Sequence, residues 1–326
     1  VLSDTVRWYG YSVTIVGDVE DGHLYGPDNI ELTQTATVDL SRETDEEFRR
    51  FGAFVSQFLD REQSRLLNAS TLVTDFGMDS SFYSQNISVF RNTITRAMSE
   101  KPDYAALIQQ VWQNFIAYLG VSDYGRFSVE TYINEFYLVT VAKIICVNVM
   151  AGEPVISDTN EIKKILNGEY FTRQNVFSLV DYDYFGWLNN SPYVEQIVGS
   201  VVELQHRLVA YDFSRVGETD IFGRLLAQLA NKEHRLMLGQ EFTPHWVAQD
   251  IVEYNMDLLT GNSPRIVDMC CGSGVFLIES IKAVRRQYDI VPERYSTEKD
   301  DIVFSCVMGF DIDPLAVMLA KVNWVM

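Results

Sequence analysis

The sequence predicts a mostly α-helical domain followed by the first part of an α/β unit. Three observations carry this prediction. From Ser41 to about Leu238 apolar residues recur at three- and four-residue spacing, which is the helical period. Beyond Gly239 two short apolar runs, Ile266-Val267 and Val303 to Phe310, lead into acidic residues, Asp268 and Asp311. Between them a glycine-bounded turn, Cys271-Gly272-Ser273-Gly274, launches an apolar periodic segment through Phe276, Leu277, Ile278 and Ile281.

Composition supports a packed chain. Of 326 residues, 47% are hydrophobic and 22% charged, ordinary proportions for a protein that buries a core, and the length suits about two domains. The net charge of −19, from 26 Lys plus Arg against 45 Asp plus Glu, argues against a phosphate-tracking surface. Any nucleic acid is therefore expected to be gripped mainly by other regions. The four cysteines, Cys146, Cys270, Cys271 and Cys306, show no paired metal spacing, and adjacent Cys270 and Cys271 cannot easily bridge each other. With no signal-peptide pattern, this predicts a reducing cytoplasm. His206 and His234 have no partners at metal spacing, so no metal is expected. The longest apolar run, Phe136 to Ala151, contains Lys143 and Asn148 and falls short of the roughly 20 residues a membrane span needs. It reads as a buried core helix.

In chain order, Val1 is no initiator methionine, and TVRWYGYSVTIV, a polar break at Gly17 to Gly22 and a second β-like stretch ending near Leu40 read as a strand pair. Two strands alone are marginal, so residues 1–40 are expected to be a β-rich remnant of an upstream domain. SRETDEEF from Ser41 is an acidic helix start, followed by Phe48, Phe51, Phe54, Val55, Phe58 and Leu59 at helical spacing. Residues 41–238 form the helical domain, with its clearest helices at Tyr104 to Leu119, Val129 to Met150, Val194 to Ala210 and Ile221 to Ala230. Tyr182, Tyr184, Phe185 and Trp187 read as core packing, because Asp181 and Asp183 would repel a phosphate.

Residues 239–326 form the second domain. Thr243 is placed as N-cap and Pro244 at the first position of a helix carrying Val247, Ile251 and Leu258 on one face. The glycines of the turn tolerate positive φ and let a ligand approach the main chain, while the new helix offers its free N–H groups. Asp311, at the tip of the second strand, is placed to accept hydrogen bonds from both hydroxyls of a ribose. Pro314 suits the first turn of the following helix. The glycine-to-acid gap exceeds the usual ~20 residues, and the surplus, Gln287 to Asp301, reads as a surface insertion.

These motifs resemble those of the adenine-N6 DNA methyltransferases. The pattern D-x-x-C-G-S-G-x-F is met by Asp268, Cys271, Gly272, Ser273, Gly274 and Phe276; G-x-D-I-D-P-x-A by Gly309, Asp311, Ile312, Asp313, Pro314 and Ala316; and F-T-P by Phe242, Thr243 and Pro244. Each motif alone is weak, and a glycine turn with an acidic strand end also occurs in nicotinamide and flavin proteins. The three together, in this order, are specific. The segments YLVTVAKIICVNVMAG, ILNGEYF, DYDYFGWL and DIFGRLLAQLANKEHRLMLGQEFTP resemble the helical domain of the large single-chain enzymes of type IIG restriction-modification and phage-defence systems. The opening TVRWYGYSV is similar to the closing strands of their nuclease-like domain.

The resemblance implies a Rossmann-like fold for the second domain and S-adenosylmethionine as cofactor. Gly272 and Gly274, with Cys271 and Phe276, would let the main chain approach the methionine moiety, and Asp268 would bond near its amino group. Asp311 would take the ribose hydroxyls, Ile312 would lie against the adenine, and Phe242 to Pro244 would close over the methionine end. Cys270 and Cys271 are expected to be small core residues and His245 a surface or packing residue, since amine methylation needs no covalent enzyme intermediate. In this family an [N/D]-P-P-aromatic loop holds the amino group of a flipped base. The eight prolines here include no adjacent pair, so no catalytic residue is assigned, and the loop is expected downstream of Met326. Double-stranded DNA, bound mostly by other regions, and a fused or associated nuclease or defence subunit are the expected partners. The alternatives are methylation of RNA or another amino group, or a non-catalytic interaction subunit that keeps the cofactor fold.

Overall fold

β-branched and aromatic residues favour extended chain, and in the computed structural model the opening stretch forms an antiparallel sheet. Its strands are β1 (Leu2–Ser3), β2 (Arg7–Ile15) and β3 (Ile30–Asp39), in the order β1-β2-β3. β2 and β3 pair from Arg7 opposite Asp39 to Ile15 opposite Ile30, with a register irregularity at Gly10/Tyr11. Helix α1 (Asp45–Phe58) begins in a reciprocal cap, the Glu47 N–H donating to Thr44 Oγ1 and the Thr44 N–H to Glu47 Oε2. Phe54 is buried and Phe51 meets Trp8 with ring centroids 5.0 Å apart. Phe48, predicted on the same face, is exposed. These elements form one compact unit, Val1–Ser64; the other is Arg65–Met326.

The structure describes residues 2–15, 30–42, 44–58, 65–120, 127–153, 158–177, 179, 184–190, 192–213, 216, 219–229, 241–259, 264–287, 303 and 305–326. The predicted break at Gly17 to Gly22, Asp181 to Asp183, Ala230, His234, the 238/239 boundary and the insertion after Gln287 lie outside them.

The second unit runs β4 (Arg65–Leu66), α2 (Ala69–Phe76), α3 (Ser81–Glu100), α4 (Pro102–Leu119), α5 (Val129–Ala151), α6 (Thr159–Leu166), α7 (Glu169–Arg173), a 3-10 turn at Gly186–Leu188, α8 (Val194–Leu208), β5 (Tyr211–Asp212) and α9 (Gly223–Leu229). It continues with α10 (His245–Leu258), β6 (Ile266–Asp268), α11 (Val275–Gln287), β7 (Val307–Gly309) and α12 (Pro314–Val325). Asn68, Ser80, Ser128 and Asp158 cap helices with side-chain acceptors. Gly120 and Gly152 end α4 and α5 in the left-handed conformation.

An apolar helix without a polar face must be enclosed on all sides, and α5 is that helix here. Its 23 residues are long and apolar enough to cross a membrane, longer than the run marked in the sequence. Within this fold it is instead the core, packed by α2, α3, α6, α8, α9 and α12. Its polar groups find partners: Lys143 Nζ donates to the carbonyl of Leu166 at the end of α6 at 2.7 Å, and Asn148 exchanges amide hydrogen bonds with Gln205. Tyr132 donates its hydroxyl to the Tyr184 carbonyl and accepts from Trp187 Nε1. Tyr184, Phe185 and Trp187 are accordingly buried.

β6 and β7 pair in parallel, Ile266 with Val307 and Asp268 with Gly309, and α11 forms the crossover between them. Val303, Ser305 and Cys306, predicted as strand, are helical. β6 is only three residues long and starts just after Pro264, which has no N–H to donate, so β7 has a ladder partner over just three residues. A small core of Cys271, Leu277, Ile281, Val284, Val303, Cys306, Val307 and Ala320 lies beneath this pair. α12 joins both cores, with Leu315, Met318, Leu319 and Val322 among the helices and Ala320 against the glycine turn.

Candidate functional site

The turn between β6 and α11 is held by its own main chain. The Cys271 N–H donates to the Phe310 carbonyl and the Gly274 N–H to the Cys271 carbonyl, both at 2.8 Å, and the Gly272 N–H donates to Asp311 Oδ2 at 2.7 Å. Asp311 Oδ1 accepts the Asp313 N–H, and Asp313 caps α12 ahead of Pro314, which takes the first helical position as predicted. The two glycines differ in purpose. Both have positive φ, 53° and 100°, but a β-carbon at Gly272 would meet nothing within 4 Å, whereas one at Gly274 would lie 3.3 Å from the Ala320 β-carbon. Gly272 leaves room for a ligand; Gly274 lets the turn pack on α12.

A buried polar cluster backs the turn. Asp220 Oδ1 accepts the N–H groups of Phe222 and Gly223 and the Asn323 amide at 2.8 Å, while Oδ2 accepts the Ser273 hydroxyl. Asn323 Nδ2 also donates to the Ser273 carbonyl at 2.7 Å. Ser273 is thus fixed through its side chain and its main chain. Burial pushes the Asp220 carboxyl upward, opposed by the hydrogen bonds from Ser273, Gly223, Asn323 and Phe222. Asp268 is different: Oδ1 accepts the Cys270 N–H, and Oδ2 is buried with no hydrogen-bond partner.

These elements enclose a cavity of about 530 Å³, within the usual range for small-ligand sites. Of the predicted site residues, Phe242, Thr243, Cys271, Gly272, Phe276, Asp311 and Ile312 line it; Pro244, Asp268 and Gly274 do not. Asp220, Gly223, Glu241, Met269, Ser273 and Ala316 also contribute to its wall, and among the described residues no Lys, Arg or His does. Phe242 lies under the Arg224 guanidinium, 5.5 Å from the ring centroid, and Arg224 also donates to Ser70 Oγ.

Two details of the sequence reading are corrected. Pro244, not Thr243, is the cap of α10, because its carbonyl already accepts from Val247 and Ala248 and its ψ is 135°. The inward face of α10 is Ala248 and Val252, with Ile251 and Leu258 exposed, since α10 packs on α11 through its small residue. Of the two cysteines expected in the core, Cys271 is buried but Cys270 is exposed, lying in the turn just past β6; burial, then the negative charges of Asp311 and Asp268, push the Cys271 thiol up to about 12. His245 is exposed, and among the described residues no cluster could hold a metal.

Asp220 and Asn323 are the contributors that sequence reasoning missed. Asp-x-x-Gly at the head of α9 is a visible signal, yet it reads as an ordinary helix start; only the fold brings the second carboxylate oxygen to Ser273.

Residues 217–326, the part of the chain that builds the turn, the acidic strand end and Asp220, match the family model for N-6 DNA Methylase. This segment is similar to the N-6 DNA methylases. The family's chemistry is methyl transfer to DNA, and its members depend on S-adenosylmethionine. No curated protein matches the chain. The residues present fit that cofactor in kind: the described wall is acidic and apolar, with no basic group among the described residues, suited to a positively charged ligand, and Gly272 leaves open space where a side chain would intrude.

Proposed function

We propose that the methylase segment binds S-adenosylmethionine in this cavity, in a Rossmann-like α/β domain that serves transfer of a methyl group to adenine N6 of DNA. The observation that carries this reading is Asp311, held by the Gly272 N–H at the cavity wall beside the open face of the turn. An ionised carboxylate accepts about four hydrogen bonds, and main-chain groups use two of those sites here. The remainder suits two ribose hydroxyls.

Ile312 offers an apolar flank for the adenine, and Phe242 and Thr243 also line the cavity. Asp268 acts through Oδ1, which pins the Cys270 N–H and so holds the turn from behind the cavity wall. When bound, the cofactor supplies an electrophilic methyl group on a sulfonium. The sequence holds no adjacent prolines, so the proposal assigns presentation of the adenine to residues other than these. With a net charge of −19, it likewise assigns most DNA contact to other regions. A restriction-modification or phage-defence setting, with a nuclease fused or associated, belongs to the same proposal and rests on the resemblance of the helical segment.

Titration calorimetry with S-adenosylmethionine tests the cofactor reading. Saturable binding by this chain, weakened at least about tenfold by Asp311→Ala, supports it; no binding, or binding indifferent to Asp311→Ala and Gly272→Val, overturns it. Methylation-sensitive sequencing of DNA from cells expressing the complete gene identifies the acceptor, and absence of N6-methyladenine overturns that part.

A further inference from the structure

We propose that Asp220 makes the cavity prefer the positively charged methyl donor over its neutral demethylated product. This rests on the cofactor reading above and goes beyond it, since Asp220 belongs to no motif that pointed to the cofactor.

Asp220 is 7% exposed and lies at the cavity wall. Its four hydrogen bonds come from two main-chain N–H groups, one amide and one hydroxyl, all uncharged. Among the described residues no cation pairs with it and none lines the cavity. A charge in such surroundings is poorly screened and acts over several ångströms. The other acids at the wall differ: Glu241 is exposed to solvent, and Asp311 divides its acceptor sites between the main chain of the turn and the ribose hydroxyls assigned to it above.

Methyl transfer changes the ligand by one charge. The acceptor's lone pair forms the new bond to the methyl carbon, the sulfur–carbon bond breaks, its electron pair stays on sulfur, and the acceptor nitrogen gives up a proton to solvent. The sulfonium thereby becomes a neutral thioether of nearly the same shape. A buried carboxylate distinguishes the two through charge, which favours release of the product.

If Asp220 served only to cap α9 and hold Ser273, its charge would not matter. Asp220→Asn separates the two roles. The amide oxygen still accepts from Phe222, Gly223 and Asn323, and the amide nitrogen can donate to a Ser273 hydroxyl turned to accept. Ser273→Ala is the reverse case, losing that hydrogen bond while keeping the charge.

The experiment measures dissociation constants for S-adenosylmethionine and S-adenosylhomocysteine by calorimetry at neutral pH, with folding checked by circular dichroism. The expected result is that Asp220→Asn lowers the preference for the charged ligand about tenfold, while Ser273→Ala leaves it within about twofold. A preference unchanged in Asp220→Asn overturns the inference alone. Should Asp220→Asn not fold, Ser273→Ala still decides: retention of the preference supports the inference, and its collapse overturns it. If the unsubstituted chain binds neither ligand, the cofactor reading itself fails, and this inference with it.

Discussion

The helical core around α5 and the strand–helix–strand segment at the site are built to opposite standards. Around α5, Tyr132, Tyr137, Tyr193, Phe76, Phe82, Phe90 and Phe136 are among the largest side chains and are fully enclosed. The hydroxyls of Tyr132 and Tyr137 are satisfied by the carbonyls of Tyr184 and Phe76. The β6–β7 pair covers a core of eight residues on one side and exposes Val267 by 54%, Met269 by 67%, Met308 by 56% and Phe310 by 49% on the other. Parallel strands are ordinarily covered on both faces. The difference teaches where stability and binding reside: the turn gains rigidity from α12 and from the Asp220–Ser273–Asn323 cluster, which tie it to the helices, more than from its own small core.

The largest expected effect is in the helical core. Phe136→Ala should cost about 3–5 kcal/mol, read by chemical denaturation. A cost below about 1 kcal/mol would break the comparison at its stronger end. Gly309→Ala should come next, because a β-carbon there would lie 2.6 Å from Leu277 Cδ1 and 3.1 Å from the Cys271 β-carbon. Overpacking of this kind costs about 1–3 kcal/mol, and it should also weaken ligand binding by shifting the turn.

A pH effect follows from Glu135 on α5. Burial, then the charge of Asp313, raise its carboxyl from the ordinary 4.5 to about 8. A raised folded value means that its stabilising contribution is complete below pH 4.5 and is lost as pH rises through about 8. Relative to Glu135→Gln, the unsubstituted protein should therefore lose Tm between pH 5 and 8.5, on the order of a few °C. Parallel Tm profiles would remove Glu135 from the account.

Gly272→Ala sharpens the contrast from the ligand side. Its β-carbon meets nothing within 4 Å, but φ is 53°, so Gly272→Ala should cost about 1–2 kcal/mol of stability while S-adenosylmethionine affinity falls about tenfold or more. The smallest effect is at the surface. Arg96 and Glu100 pair at 2.6 Å with both side chains about half exposed, and Arg96→Ala should leave the denaturation midpoint essentially unchanged.

Much of this was legible from local pattern. The glycine turn, Asp311 at a strand end, Pro314 in a first helical turn and Phe136 to Ala151 as a buried core helix all follow from features within a few residues of one another. What local pattern missed depends on partners far along the chain. Ile251 and Leu258 looked like a packing face, yet Ala248 and Val252 face inward because α11 approaches there. Val303 to Cys306 looked extended, yet the ladder is limited by a three-residue β6.

The sequence by itself determined the kinds of group at the site: two glycines in a tight turn and carboxylates at both strand ends. Each follows from residue chemistry and short spacing. Only the tertiary structure decided what each does. It assigned Gly272 to open space and Gly274 to Ala320, used Asp311 to hold the turn as well as to face the cavity, and brought Asp220 to Ser273 across 53 positions of sequence. A contact of that separation leaves no periodic or spacing signal, because it arises from how α9, α11 and α12 pack together.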